Sequence, residues 1–126
     1  MKPLSKRDYN SYNSLIESFE VQVVNENSSD DYQGSSWYLL RDNNRFGYLS
    51  FGWGSCSGCD ALEACSNVEE AIQLRDELWQ SITWFDSSNE ARKFFNQHDW
   101  EADSSFREEN FKQFIEDCKN ALDCFR

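Results

Sequence analysis

Apolar residues recur along this chain with two different periods, and the change of period divides it into segments. Tyr12, Leu15, Ile16 and Phe19 follow the spacing i, i+3, i+4, i+7, which predicts a first helix after Pro3. Glu20–Asn25 (Glu-Val-Gln-Val-Val-Asn) reads as a strand, and Asn27–Gly34, rich in Asn, Ser, Asp and Gly, as a loop. Ser36–Leu40 and Arg45–Trp53 are aromatic-rich runs flanking Asp42-Asn43-Asn44, residues that tolerate a left-handed backbone, so together they predict a hairpin. Trp37 and Leu39 would share one face, and Gly47, Leu49, Phe51 and Trp53 another. Three helices then follow, each opening on a hydroxyl and a carboxylate at capping-box spacing: Ser66 with Glu69, Ser87 with Glu90, and Ser105 with Glu108. Such a cap satisfies amide donors at a helix start and contributes about 1 kcal/mol. Their periodic faces run through Val68, Ala71, Ile72, Arg75, Leu78, Trp79 and Ile82, through Ala91, Phe94 and Phe95, and through Phe111, Phe114, Ile115, Cys118, Leu122 and Phe125. Ile82–Phe85 reads as a short strand or a turn. The pattern predicts a single α+β domain over residues 1–126: a three-stranded antiparallel meander packed against about four helices.

Composition changes this picture in one respect. Phe, Tyr and Trp make up 16% of the 126 residues, and aliphatic residues are correspondingly few, so rings must fill much of the core. The mean hydropathy is −0.80, but the periodic stripes argue against wholesale disorder. There is no transmembrane run, and no apolar stretch follows the polar Met1–Asp8, so an intracellular, cytoplasmic protein is expected.

The formal net charge is −11, which disfavours direct nucleic-acid binding, because phosphate contacts need basic groups to displace counterions. The acids are unevenly spread. Between Asp8 and Leu40 there are six acids and no Lys or Arg, and Asp60–Glu77 holds six acids against Arg75 alone. One reading is a solvated face that aids solubility. The other is a surface that docks on a basic partner protein, to which Glu17, Glu20, Glu26, Asp30, Asp31, Glu69, Glu70, Asp76 and Glu77 would contribute. An edge strand of the meander also offers pairing with a target or with a second copy of the chain.

The densest chemistry lies in Phe51–Asp60, which holds three of the five glycines and two of the five cysteines where an expected strand gives way to an expected helix. Cys56 and Cys59 have CxxC spacing, which suits one metal ion or a small-loop disulfide. A closed zinc site needs four ligands, for which Cys56, Cys59, Cys65 and His98 are the candidates. A thioredoxin-type redox reading fits poorly: Trp53 lies three residues before Cys56, and the sole proline is Pro3, far from the thiols. Gly54, Ser55, Ser57 and Gly58 offer backbone N–H groups for an anion, although no lysine follows as in a phosphate-binding loop and Asp60 opposes one. The plain alternative is a tight glycine turn with packed thiols. His98 with Asp99, Glu101 and Asp103 lacks the order of a calcium loop and reads as a solvated connection. No nucleophile–base pair stands in a recognisable context.

The stretch Tyr48–Ala64 (YLSFGWGSCSGCDALEA), with Thr83-Trp84-Phe85 and His98-Asp99-Trp100, resembles segments of small acidic proteins of bacteriophages and prophages. The resemblance covers roughly the central and C-terminal two-thirds of the chain. It implies no catalytic residue and no activity. It implies the cytoplasm of an infected bacterium, and a non-enzymatic accessory role in binding a host protein, including anti-restriction or anti-CRISPR inhibition. The alternatives from other classes are a metal- or thiol-site protein centred on Cys56 and Cys59, and a binder of small anions at the glycine-rich turn.

Overall fold

The computed structural model describes residues 1–5, 9–54 and 60–125. The elements run α1 (Tyr12–Glu17), β1 (Gln22–Ser28), β2 (Gly34–Asp42), β3 (Arg45–Trp53), α2 (Val68–Gln80), β4 (Thr83–Phe85), α3 (Ser88–Gln97), two 3₁₀ turns (Trp100–Ala102 and Ser104–Arg107) and α4 (Glu109–Asp123). The architecture is α+β. Among the described residues the sheet is antiparallel with order β1-β2-β3-β4, four strands where the pattern predicted three. The added strand is Thr83–Phe85, which pairs with Phe46–Tyr48 of β3. Three residues are too few to show a period, which is why this segment read equally as a turn.

Both faces of the sheet are covered. Trp37, Leu39, Phe46 and the half-buried Tyr48 pack against α3 and α4 through Phe95, Phe111, Phe114, Ile115 and Cys118. Tyr38, Leu40 and Leu49 pack on the opposite side against Leu15, Ile16 and Phe19 of the α1 region and Leu78 and Ile82 of the α2 region. Side chains of a strand alternate between faces, so the four consecutive buried residues Trp37–Leu40 feed both cores at once. Rings dominate the α3/α4 core: Tyr48 meets Phe95 edge-on at 5.8 Å and Trp100 at 5.7 Å, and Trp37 lies 4.9 Å from Phe111. The buried indole N–H of Trp100 donates to the Phe95 carbonyl (2.9 Å), which offsets the cost of enclosing it.

Several boundaries differ from the sequence reading. Glu20 is not in β1: it takes a left-handed backbone (φ 59°) as the chain leaves α1, and β1 runs on to Ser28 into the expected loop. The hairpin register pairs Asp42 with Arg45, and Asn43 is left-handed (φ 57°), as its turn chemistry implied. The α3 cap is the expected one, with Ser87 Oγ accepting from the Glu90 amide. The α2 cap shifts by one residue: Asn67 accepts from the Glu70 amide, and the Glu70 carboxylate reaches back to the Ser66 amide. Ser105 does not start α4. It lies in the second 3₁₀ turn, capped by Asp103, because two short turns separate α3 from α4 where the pattern suggested one loop.

Gly47 sits where β3 passes closest to the α2–β4 connection. A Cβ built there would lie 2.6 Å from Ile82 Cγ2 and 2.9 Å from Trp84 Cε3, so the close crossing requires glycine. No helix among the described residues is long and apolar enough to cross a membrane.

Candidate functional site

Asp60 organises the region beside the glycine- and cysteine-rich segment. It is buried, at 6% exposure, and its carboxylate is a four-way acceptor. Oδ1 takes the Leu62 amide (2.9 Å), the Glu63 amide (3.1 Å) and the Tyr12 hydroxyl (2.9 Å), while Oδ2 takes the Gly54 amide (2.8 Å). Burial acts to raise its pKa, but the amides of Gly54, Glu63 and Leu62 and the Tyr12 hydroxyl outweigh that and hold it below the ordinary carboxylate value. The anchored carboxylate therefore joins the end of β3, the turn before α2 and the start of α1. Tyr12 in turn accepts from the Leu62 amide at 3.2 Å. Its phenol is pushed up to about 12 by burial, and bonding to Asp60 adds to the rise.

This geometry bears on the anion reading. Of the four residues of the candidate ligand turn, only Gly54 is described; Ser55, Ser57 and Gly58 lie outside the described residues. The Gly54 N–H is given to the protein's own carboxylate and not to an open nest.

Of the candidate metal ligands, Cys56 and Cys59 also lie outside the described residues. Cys65 and His98 are not brought together: the sheet separates them. Cys65 follows the Asp60 turn on the α1/α2 side, and its Sγ donates to the Ala61 carbonyl. Its thiol pKa is raised, first by burial and then by the charges of Glu70, Asp60 and Glu77, which disfavours the thiolate that a metal or an electrophile needs. His98 caps α3 on the other side, exposed, with its ring 4.4 Å from Trp100 and 4.9 Å from Phe94. Asp99 and Glu101 beside it are exposed, and Asp103 is used as a cap. Among the described residues no group of three or more His, Cys, Asp or Glu side chains has metal-binding geometry. Cys118 is core, its pKa pushed up to about 12 by burial against the opposing hydrogen bond from Asn25.

The acids distribute differently. Glu17, Glu20, Glu26, Asp30, Asp31, Glu69, Glu70 and Glu77 are exposed, and Asp76 is half-buried. Glu17 and Glu20 belong to the end of α1, and Glu69, Glu70, Asp76 and Glu77 to α2; these two helices share one face of the sheet. Glu26 leans to the same side, where its charge acts on Tyr38. Asp30 and Asp31 sit in the connection between β1 and β2. Arg75, the cation within the second acid-rich segment, is withdrawn from the surface. It is 8% exposed, donates from Nη1 to the Lys2 carbonyl (2.7 Å) and pairs with Asp76 (3.2 Å). Three other acids are engaged: Glu20 with the N-terminal ammonium (3.5 Å), Glu70 with the Ser66 amide, and Glu77 with Gln73.

Beside this face an open cleft of about 420 Å³ runs between α1 and the edge of the sheet. Tyr12, Asn13, Glu26, Ser36, Tyr38 and Trp53 line it. The Tyr38 hydroxyl donates to Asn13 Oδ1 (2.6 Å) and the Trp53 indole N–H to Ser36 Oγ (2.9 Å). Glu26 apart, sequence reasoning did not single these residues out for function. They are drawn from α1 and three different strands, and no local spacing links them.

The chain matches no protein-family model, no curated protein and no solved structure.

Proposed function

We propose that this protein is a non-enzymatic binding protein whose acidic α1/α2 face docks on a basic surface of a partner protein. One observation supports the reading most directly. Acids from two segments far apart in sequence, Glu17 and Glu20 at the end of α1 and Glu69, Glu70, Asp76 and Glu77 on α2, lie on helices that share one face of the sheet, and Arg75, the cation within the second segment, is buried. Carboxylates on one face sum their fields, steer a basic partner and penalise an acidic one. The resemblance of Tyr48–Ala64 to phage and prophage proteins directs the search to bacterial host proteins with nucleic-acid channels, the targets of anti-restriction and anti-CRISPR inhibitors, within an infected cell. Basic channels of that kind complement an acidic face.

The test is affinity capture from bacterial lysate with the wild type and with a Glu17→Lys/Glu69→Lys/Glu77→Lys variant, the bound protein being identified by mass spectrometry. These three positions are exposed, and none of them caps a helix, so the fold should survive the exchange. Capture of one basic protein that is lost in the variant, and lost above about 0.5 M salt where the screening length shrinks to a few ångströms, supports the reading. Capture that is indifferent to both changes overturns it.

A further inference from the structure

The cleft between α1 and the sheet has a chemistry that narrows what the partner presents. Its wall is aromatic. Tyr12 and Trp53 line the cleft half-buried, and Tyr38, 4% exposed, is held behind them by stacking on Phe51 (ring planes 12° apart, centroids at 5.9 Å), on which Tyr12 also packs at 4.7 Å. Its charge is negative. Glu26 is exposed on β1, opposite Tyr38 in the register, and among the described residues no cation pairs with it. Among the described residues no lysine or arginine lines the cleft. The aromatic N–H and O–H groups are spent within the protein: the Trp53 N–H on Ser36, the Tyr38 hydroxyl on Asn13, the Tyr12 hydroxyl on Asp60, while Ser11, Asn27 and Ser28 complete the lining. A ligand therefore meets a carboxylate acceptor beside aromatic rings, with the Asn13 side-chain amide and the Ser36 hydroxyl at hand, and the carboxylate with the rings suits a flat cation. Guanidinium fits best, because it stacks on rings and offers a carboxylate two parallel N–H donors. The volume exceeds the needs of one side chain and leaves room for flanking backbone.

We infer that this cleft is an arginine-recognition site, in which a guanidinium of the basic partner lies against the half-buried Trp53 ring and is held by Glu26. The assignment rests on the docking function proposed above and gives that surface its specific point of contact.

The experiment titrates the intact protein with the peptide N-acetyl-Gly-Arg-Gly-amide and, separately, with its citrulline counterpart, which keeps the shape and loses the charge. The Trp53 indole resonance, assigned through Trp53→Phe, reports occupancy in ¹H–¹⁵N spectra. The expected result is a saturable Trp53 shift with the arginine peptide and at least about tenfold weaker binding of the citrulline peptide. Glu26→Gln, a near-isosteric change at an exposed position, should weaken arginine-peptide binding by a similar factor and leave the rest of the spectrum in place. Equal binding of the two peptides, insensitivity to Glu26→Gln, or no Trp53 shift at about 10 mM peptide would each overturn the assignment. Capture that depends on Glu17, Glu69 and Glu77 while the peptide fails to bind leaves the docking surface standing without this site. Peptide binding with charge-indifferent capture removes the docking surface instead.

Discussion

The Tyr12 hydroxyl donates to the Asp60 carboxylate at 2.9 Å across 48 residues of sequence, and the same carboxylate holds the Gly54 amide at 2.8 Å. One buried acid thus ties the first helix to both ends of the glycine- and cysteine-rich segment. Asp60→Ala would leave buried donors without an acceptor and should destabilise the fold by about 3 kcal/mol, read as a lowered urea midpoint.

The pH dependence of that loss follows from the depressed Asp60 pKa. Its contribution is present above the ordinary value of 3.8 and disappears as the pH falls through the lower folded-state pKa. The stability gap between wild type and Asp60→Asn, from urea titrations at stepped pH, should be constant near neutrality and narrow below pH 3.8.

At the alkaline end three phenols, Tyr38 buried and Tyr12 and Tyr48 half-buried, act together. Burial pushes Tyr12, Tyr38 and Tyr48 up to about 12, so the folded state resists their ionisation. Their stabilisation is complete below pH 10.0, the ordinary tyrosine value, and is lost as the pH climbs towards 12. Tyrosinate absorbance should therefore rise together with loss of near-ultraviolet circular dichroism in that window. Ionisation of all tyrosines before any unfolding would contradict this.

Gly47→Ala should cost about 1–3 kcal/mol, because its methyl meets Ile82 and Trp84 at less than contact distance. The expected signature is a lower melting temperature together with faster amide exchange in Thr83–Phe85, the strand packed at that crossing.

Thiol labelling of the native protein should discriminate sharply among the described cysteines. Cys124 is exposed and should react first with an alkylating reagent. Cys65, half-buried among carboxylates, should react slowly, and Cys118, fully buried with a pKa near 12, only on unfolding. Peptide mapping by mass spectrometry after timed labelling resolves the three.

Much of the fold was legible because its signals are local. The α3 cap at Ser87, the left-handed Asn43 of the hairpin and the stripe Phe111–Leu122 each depend on residues a few positions apart. The run Trp37–Leu40 also held a signal that the period-2 reading passed over. Four apolar residues in succession mark a strand buried on both sides, and hence a second helical layer. Ser105 misled because a capping-box spacing shows which atoms can meet, not which turn the chain takes next.

The sequence by itself determined the α+β class, the hairpin, most helix stripes and the acidic balance, since these follow from backbone preferences and from counting charges. Only the tertiary structure decided that the acids of α1 and α2 share a face, that Arg75 reaches the Lys2 carbonyl, and that Cys65 and His98 fall on opposite sides of the sheet. It likewise assembled Tyr12, Glu26, Tyr38 and Trp53 into one cleft. The physical reason is that such juxtapositions are set by how helices stack on a sheet with two apolar faces. That depends on the summed packing of both cores, and it leaves no mark in the spacing of any one segment.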